Sequence, residues 1–193
     1  MSASAGRLVV ISGSSGSGKS SIISRLKAHP RVRVSVSATT RPKREGEIDG
    51  VHYHFMDEAT FRERNSRGDF VETNDVFGAG NLYGSLKADL DSALLRAGEV
   101  YIMEVDVVGA QSITAASYDG AHFFIMAPTR AVLEQRLRDR GTDSDEAIER
   151  RLATADKEEN MARESGATLI TNEDINEAVK TILVKLDLDP LPA

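Results

Sequence analysis

The chain has 193 residues, 40% of them hydrophobic, and a formal net charge of −6 at pH 7. This length supports one packed domain, and no apolar run reaches the ~18–20 residues that a membrane-spanning helix needs. The absence of cysteine excludes disulfides, thiolate metal sites and cysteine nucleophiles. The acidic balance argues against binding a nucleic acid polymer. Since the N-terminus lacks the pattern of a secretion signal, we expect a cytoplasmic protein with no membrane partner.

Short apolar runs alternate with helical patterns along the chain. This alternation predicts βαβ units in an α/β fold, with a parallel sheet flanked by helices. In chain order, the patterns predict a strand over residues 7–12, a helix over 19–28, a strand over 32–37, helices over 57–67 and 86–96, a strand over 99–105, a helix over 107–116, a strand over 121–126, helices over 129–140 and 145–165, a strand over 167–170 and a helix over 175–186.

Two polar segments interrupt this alternation. Residues 40–85 mix tyrosines, charges and glycines with short β-like runs at 51–56 and 70–77, which predicts a small β-rich insertion. Residues 136–151 form the second polar segment. We interpret the two segments as moving flaps, of which one holds a second substrate and the other covers the reacting groups.

The motif that says most about chemistry lies between the first strand and the first helix. Residues 13–20 read Gly-Ser-Ser-Gly-Ser-Gly-Lys-Ser, the G-x-x-x-x-G-K-S form of a phosphate-binding P-loop. Glycines let backbone N–H groups turn toward a phosphate, and the following helix adds its positive N-terminal end. Lys19 can reach the β- and γ-phosphates, and Ser20 can reach Mg²⁺. The alternative is a glycine-rich strand-to-helix turn; with Lys-Ser in place, the motif predicts a bound nucleoside triphosphate.

A basic loop follows the second predicted strand, with Arg41 and Arg44 three residues apart. The planar guanidinium fork suits a bidentate contact with a phosphate. Tyr53 and Tyr83, in the same insertion, can add neutral phenol donors. The alternative is an ordinary solvated basic surface.

Three acidic residues are candidates for the site. Asp106 follows the apolar run 100–105, where it can support Mg²⁺ at the carboxyl edge of the sheet, or cap the next helix. Glu72 and Glu104 lie among apolar residues, where a buried carboxylate needs hydrogen-bond donors. Guanine offers two adjacent N–H donors and adenine does not, so such an acid can select guanine. The alternative is a salt bridge to a local arginine.

Arginines alternate with acids over residues 129–151. Arg136 and Arg140 share one face of the predicted helix, and Arg151 lies on the next helix. Together they can close over a transferring phosphoryl group, where charge stabilisation supplies most of the catalysis. The alternative is a solvated helical face held by i,i+4 pairs.

These segments, taken together and in this order, resemble the guanylate kinase family. The resemblance runs from about residue 7 to residue 186. The pattern T-T-R-x-x-R-x-G-E-x-x-G-x-x-Y, from Thr39 to Tyr53, is far more specific than the P-loop, which many unrelated NTPases share. The other matching segments are residues 9–21, 70–72, 83–85, 103–111, 136–151 and 169–174.

For the fold and the activity, the resemblance implies a P-loop NTPase domain of three layers. It implies Mg²⁺-dependent transfer of the γ-phosphate of ATP to GMP or dGMP, in purine nucleotide metabolism and GMP recycling, by a monomer or homodimer. No protein base is needed, because the attacking phosphate is already an anion. The implied parts of the single domain are a core (residues 7–39, 86–128 and 152–187), a GMP-binding insertion (40–85), a helical lid (129–151) and a tail (188–193).

Matched residue by residue, the family's motifs also imply roles for individual side chains. The implied ATP-binding residues are Gly13, Ser14, Ser15, Gly16, Ser17, Gly18, Lys19, Ser20 and Ser21, with Asn172 near the adenine. The implied GMP phosphate ligands are Ser37, Arg41, Arg44, Tyr53 and Tyr83, and the implied guanine contacts are Glu72, Ser85 and Glu104, with Asp106 also at the GMP site. The implied metal-supporting residues are Ser20 and Asp106, and the implied catalytic residues are Lys19, Arg41, Arg136, Arg140 and Arg151.

The chain departs from the family's pattern in a few places. The segment between Glu72 and Tyr83 is two residues longer than usual, around Ala79-Gly80, and Leu82 stands where a tyrosine is common. If the extra residues bulge outward, Tyr83 and the following Ser85 still reach the nucleotide. Val108 replaces a frequent glutamine.

Two other functions stay open at this point. One is an inactive guanylate-kinase-like module that binds phosphopeptides, against which the P-loop lysine and the lid arginines argue. The other is a related P-loop kinase for a different phosphorylated small molecule, which would have no use for Glu72 and Glu104.

Overall fold

The computed structural model describes residues 6–75, 80–139, 141 and 143–191. Helices and strands alternate along this part of the chain. In chain order they are β1 (Arg7–Gly13), α1 (Lys19–Leu26), β2 (Val32–Val34), β3 (Ala38–Thr39), β4 (His54–Phe55), α2 (Glu58–Ser66), β5 (Phe70–Asp75), β6 (Leu82–Leu86), α3 (Lys87–Leu94), β7 (Val100–Glu104), α4 (Val107–Ala115), β8 (Gly120–Met126), α5 (Arg130–Asp139), α6 (Asp145–Glu164), β9 (Thr168–Thr171) and α7 (Ile175–Lys185).

Five of the described strands form the central parallel sheet, in the order β2-β7-β1-β8-β9. These strands are apolar because helices cover both faces of the sheet. Val9 and Ile11 of β1 pack against α1 and α7 on one face. Val10 and Met103 pack against α3 and α4 on the other face. The predicted three-layer α/β fold with a parallel sheet is therefore confirmed.

The register of the two middle strands places the site. Ile11 of β1 lies opposite Glu104 of β7, and Glu104 is the last residue of its strand. β1 continues for two residues to Gly13, where the P-loop leaves the sheet. Because the carboxyl ends of parallel strands meet at one edge of the sheet, the P-loop and the end of β7 lie side by side.

A second sheet, of four described strands, has the order β4-β3-β6-β5. β5 and β6 pair in antiparallel fashion, with Glu72 opposite Ser85 and Asn74 opposite Tyr83. Helix α2 covers this sheet, and the Phe61 ring stacks on the Phe70 ring with 4.5 Å between centroids. The β-rich character predicted for this segment agrees with the structure.

Helices α5 and α6 pack on each other through a small apolar core of their own, made by Leu133, Leu137, Ile148 and Leu152. The Ser144 hydroxyl caps α6 by accepting a hydrogen bond from the backbone N–H of Ala147 at 3.3 Å. α6 then continues to the central sheet, where Ala162 packs with Phe124. One long helix thus connects the polar segment predicted to be a lid to the core.

The second predicted strand, over residues 32–37, is wrong in its length. β2 ends at Val34 in the central sheet, and the chain then crosses to β3 in the second sheet. The last contact with the central sheet is the bond from the Ser35 N–H to the Ile102 carbonyl at 2.8 Å. Residues 35–37 of the predicted strand therefore belong to the connection between the two sheets, a boundary that periodicity alone does not place.

Some expectations concern features that the structure does not test. The boundaries of the core, insertion and lid, the cytoplasmic location and the oligomeric state stay predictions. Among the described helices, none combines the length and the apolar composition that crossing a bilayer requires.

Candidate active site

The P-loop connects β1 to α1 in a conformation that only glycine adopts easily. Gly18, the N-cap of α1, has a φ of 89°, and no side chain caps this end of the helix. A Cβ added at Gly18 would lie 2.2 Å from the Asn172 amide nitrogen. The N-terminal N–H groups of α1 therefore face the loop with no side-chain cap, as an anion-binding helix end requires.

Lys19 and Ser20 converge on one carboxylate at the end of β7. The Glu104 Oε1 accepts from the Lys19 ammonium at 3.0 Å and from the Ser20 hydroxyl at 2.9 Å. The Lys19 side chain is 19% exposed and the Glu104 side chain 33% exposed, so the pair is only partly screened by water. Glu104 thus lies with the P-loop residues, and its predicted role as a guanine reader stays a prediction.

Asp106 makes a different set of contacts from those predicted for a metal ligand. Its Oδ1 accepts from the Gly109 N–H at 2.7 Å and caps α4. Its Oδ2 accepts from the side-chain amide of Asn74. The helix-cap alternative is therefore correct, whereas metal support by Asp106 stays a prediction. In the described part of the chain, no group of three or more His, Cys, Asp and Glu residues is arranged to hold a metal ion.

Glu72, on β5 of the second sheet, lies close to Asp106 at the first turn of α4. The Ser85 hydroxyl, 2% exposed, donates to Glu72 Oε1 at 2.6 Å. Burial raises the pKa of the Glu72 carboxyl, and the nearby negative charge of Asp106 raises it further, although the bond from Ser85 lowers it. Two carboxylates thus lie close together, each held by neutral donors, and their role in reading a base edge stays a prediction.

The basic loop holds its arginine in place before any substrate arrives. Arg41 forms a bidentate pair with Glu47, at 2.6 Å and 3.1 Å, and its guanidinium lies 5.5 Å from the Tyr53 ring centroid. The backbone N–H of Arg44 also donates to Glu47, at 2.7 Å. These bonds lower the pKa of the Glu47 carboxyl to about 2. Glu47 is the glutamate of the pattern from Thr39 to Tyr53 that resembles the guanylate kinase family. Its bond with Arg41 was not predicted from the sequence.

The remaining residues predicted for the monophosphate lie near Arg41. The rings of Tyr53 and Tyr83 meet edge to face at 5.9 Å, and burial raises the pKa of Tyr53. The Ser37 carbonyl accepts from the His54 N–H at 2.9 Å, which joins β3 to β4. The side chain of Arg44 is exposed. The structure thus brings Arg41, Tyr53 and Tyr83 together, and leaves the Arg44 guanidinium at the surface.

Two of the predicted lid arginines contact the P-loop directly. Arg136 donates to the Asn172 carbonyl at 2.9 Å and to the Ser17 carbonyl at 3.4 Å. Arg151 donates to the Ser15 hydroxyl at 2.9 Å and pairs with Asp143 at 3.3 Å. The third predicted lid arginine, Arg140, lies outside the described residues.

Asn172 lies beneath the P-loop rather than at its rim. It is 6% exposed, and its amide donates to the Ser17 carbonyl at 2.7 Å. Its predicted place near the adenine stays a prediction. The bond to Ser17 shows that Asn172 supports the loop backbone.

Glu158 of α6 also contacts the P-loop, and sequence reasoning missed it. Burial raises the pKa of this carboxyl, and the negative charge of Asp106 raises it further, while a hydrogen bond with the Ser14 hydroxyl and the charge of Lys19 lower it. The sequence did carry a signal for this contact. Glu158 and Arg151 are seven residues apart, about two helical turns, so they share one face of α6. Arg151 and Glu158 therefore contact Ser15 and Ser14, two neighbouring serines of the P-loop.

The longer segment between Glu72 and Tyr83 does not disturb the pairing on either side of it. Ser85 and Tyr83 keep their register opposite Glu72 and Asn74. Gly80 has a φ of 74°, and a Cβ added there would meet nothing within 4 Å. Residues 77–79 of the predicted bulge lie outside the described residues.

Comparison with known proteins adds an independent line of evidence. The family model described as guanylate kinase matches residues 5–187 of the chain. A guanylate kinase of Carboxydothermus hydrogenoformans is 41% identical over 187 residues, which cover 96% of this chain and 90% of that protein. A guanylate kinase of Pseudomonas fluorescens is 45% identical over 156 residues, covering 80% and 74%. The crystal structure of guanylate kinase from Anaplasma phagocytophilum superposes with a TM-score of 0.72, at 27% identity, over 98% of this chain and 89% of that one.

The pairing of Glu47 with Arg41 predicts a pH-dependent contribution to stability. The pKa of Glu47 is about 2 in the folded protein against 4.5 for an unperturbed glutamate. A lowered carboxyl pKa stabilises the fold above pH 4.5, and this contribution is lost as the pH falls toward 2. The difference in urea midpoint between the unmodified protein and Glu47→Gln should therefore be largest at neutral pH and shrink between pH 4.5 and pH 3.

The control for this measurement is Glu63→Gln. Glu63 pairs with Arg67 on the surface of α2 and its side chain is 68% exposed, so its removal should change the midpoint less at every pH. A Glu47→Gln difference that stays constant down to pH 3 would contradict the assignment.

Proposed function

The chain belongs to the guanylate kinase family, and from this membership we propose that it transfers the γ-phosphate of ATP to GMP, giving ADP and GDP. As a member of this family it is a nucleoside monophosphate kinase. The observation that carries the proposal is the pairing of two sites at one sheet edge. The P-loop with Lys19 lies on one side, and the buried carboxylate of Glu72 with its Ser85 donor lies on the other.

The donor side is suited to a triphosphate. The N-terminal N–H groups of α1 and the ammonium of Lys19 supply the positive potential that anionic phosphates require. Arg136 and Arg151 already lie against the backbone and side chains of the P-loop. We propose that residues Gly13–Ser21 bind the phosphates of ATP. We propose that Arg136 and Arg151 stabilise the negative charge of the transferring phosphoryl group. The predicted contribution of Arg140 is part of the same proposal.

The residues at the end of β7 fit a divalent cation. The Ser20 hydroxyl and the Glu104 carboxylate lie within hydrogen-bonding distance of each other. Mg²⁺ prefers such oxygen ligands, and it commonly takes one or two from the protein and the rest from phosphates and water. We propose that Ser20 and Glu104 hold Mg²⁺, with Asp106 as the earlier candidate. When bound, the ion would neutralise charge on the β- and γ-phosphates.

The acceptor side is suited to a guanine base. The N1–H and N2–H donors of guanine match the carboxylate of Glu72, which Ser85 holds through Oε1 and whose pKa burial raises. The nearby carboxylate of Asp106 can accept from the same edge of the base. The phosphate of GMP is assigned to Arg41, Tyr53 and Tyr83, with Ser37 and Arg44 at the same end. Since dGMP has the same base and phosphate, we propose it as a second acceptor.

The chemical step follows from this arrangement. An anionic phosphate oxygen of GMP attacks the γ-phosphorus, and the bond from that phosphorus to the β–γ bridging oxygen breaks, so that ADP leaves. No side chain has to remove a proton. Lys19, Arg41 and the lid arginines act by stabilising the charge on the transferring oxygens, which is the main demand of phosphoryl transfer. In the cell, this activity would return GMP to the guanine nucleotide pool.

A panel assay tests the proposal. ADP release should be measured with Mg²⁺–ATP and one monophosphate at a time: GMP, dGMP, AMP, CMP or UMP. We expect turnover with GMP and dGMP, and a loss of about 10²-fold or more with AMP, because the wrong base leaves buried acceptors unpaired. Lys19→Ala should lower the GMP rate by about 10²-fold or more while the circular dichroism spectrum is retained.

The matched control is Lys180→Ala, since the Lys180 side chain is 68% exposed on α7. Equal turnover of GMP and AMP would defeat the guanine assignment. Absence of turnover with every monophosphate, with phosphopeptide binding in its place, would favour an inactive module.

Glu72→Gln tests the base assignment through its pH dependence. The raised pKa of Glu72 means that its carboxylate is lost at a higher pH than usual, so its acceptor capacity falls as the pH falls. The KM for GMP of Glu72→Gln, divided by that of the unmodified enzyme, should be about 10² at pH 8 and decrease toward pH 5. Titration of GMP itself cancels in this ratio, so a ratio independent of pH would refute the role of Glu72.

A further inference from the structure

We propose that Asn74 is a positioning residue of the base pocket: its side-chain amide holds the Asp106 carboxylate in place opposite Glu72. The inference deepens the proposed function, on which it rests. Asn74 donates a hydrogen bond to Asp106, just as Ser85 donates one to Glu72. The pocket gains two converging acceptors, and each is held by a neutral donor from the second sheet.

The fold brings these groups together from two separate units. Glu72 and Asn74 are two residues apart on β5, so their side chains project from the same face of the strand. That face lies against the first turn of α4. A Cβ added at Gly109 would lie 3.2 Å from Glu72 Oε2 and 3.4 Å from Asp106 Oδ1. The two carboxylates therefore approach the same point on the helix.

The two oxygens of Asp106 have donors of different origin. Oδ1 accepts from the Gly109 N–H at 2.7 Å, within the same helix end. Oδ2 accepts from the Asn74 amide, which belongs to β5. The first bond comes from the backbone of the helix that Asp106 itself caps. The second bond adds a donor from the second sheet and so joins this sheet to the core beside Glu72.

The charge of the pocket explains why an amide suits this position. Glu72 and Asp106 repel each other, and this repulsion contributes to the raised pKa of Glu72. A neutral amide can hold Asp106 without neutralising its negative charge, whereas a lysine or arginine in this place would neutralise the charge that a base with N–H donors would contact. Guanine supplies three N–H bonds at its N1 and N2 positions, which can lie between the acceptors. Holding Asp106 beforehand lowers the ordering cost of binding this base.

The neighbouring residue offers a matched control. Thr73 is exposed and projects from the opposite face of β5, so Thr73→Ala changes the same strand without reaching the pocket. Asn74→Ala removes the donor. Asn74→Asp keeps the shape of the side chain, removes the donor and adds a negative charge.

The experiment measures KM for GMP, KM for ATP and kcat for these variants at pH 8. Asn74→Ala should raise the KM for GMP about tenfold, which corresponds to about 1.4 kcal/mol, and Asn74→Asp should raise it further. KM for ATP and kcat should stay within about twofold of the unmodified enzyme. Thr73→Ala should leave all three constants unchanged. A merely structural role would instead lower the melting temperature and affect both substrates.

A second readout needs no substrate. Because Asp106 accepts from the Gly109 N–H, a less restrained carboxylate in Asn74→Ala should speed hydrogen exchange at that amide about tenfold, with no change in Thr73→Ala. An unchanged KM for GMP together with unchanged exchange in Asn74→Ala would overturn the inference. If the unmodified protein did not prefer GMP over AMP, the proposed function would be wrong. The exchange measurement would then still show whether Asn74 holds the Asp106 carboxylate.

Discussion

The parallel register of β1 with β7 positions the rest of the site. Ile11 lies opposite Glu104, and β1 then runs two residues further into the P-loop. This offset brings the Lys19 ammonium and the Ser20 hydroxyl to the same carboxylate oxygen. A slip of one residue in β7 would turn Glu104 to the other face of the sheet. The apolar side chains that fix this register, on both faces of the sheet, therefore also fix the chemistry at its edge.

Several cations of the proposed site are paired with carboxylates of the same chain. Lys19 has Glu104, Arg41 has Glu47, and Arg151 has Asp143. Without such partners, clustered positive charges would repel one another and their side chains would be disordered. The pairs keep each cation oriented, so a phosphate with its larger charge can replace or share the carboxylate at low ordering cost. The acidic net charge of −6 and a cationic site are thus compatible.

The sequence predicts the elements well, because the P-loop, the alternating patterns and the apolar stripes are local signals. It does not predict which acid at the end of β7 meets Ser20. Glu104 and Asp106 are two residues apart, and only the packing of β7 on β1 and of α4 on β5 separates them. Asn74 was missed for the same reason, since its partner lies 32 residues away in another unit. Glu47 lies in the same loop as Arg41, six residues further along the chain. Their bond could be predicted only with the conformation of that loop.

In the proposed complex, two nucleotides meet end to end at this sheet edge, with the cations between them. Crystals grown with GMP and a non-hydrolysable ATP analogue would show this arrangement. We expect the guanine edge about 3 Å from the carboxylates of Glu72 and Asp106, the GMP phosphate at Arg41, and the triphosphate along the P-loop. A base that lies away from both acids, or a GMP phosphate that lies away from Arg41, would contradict it.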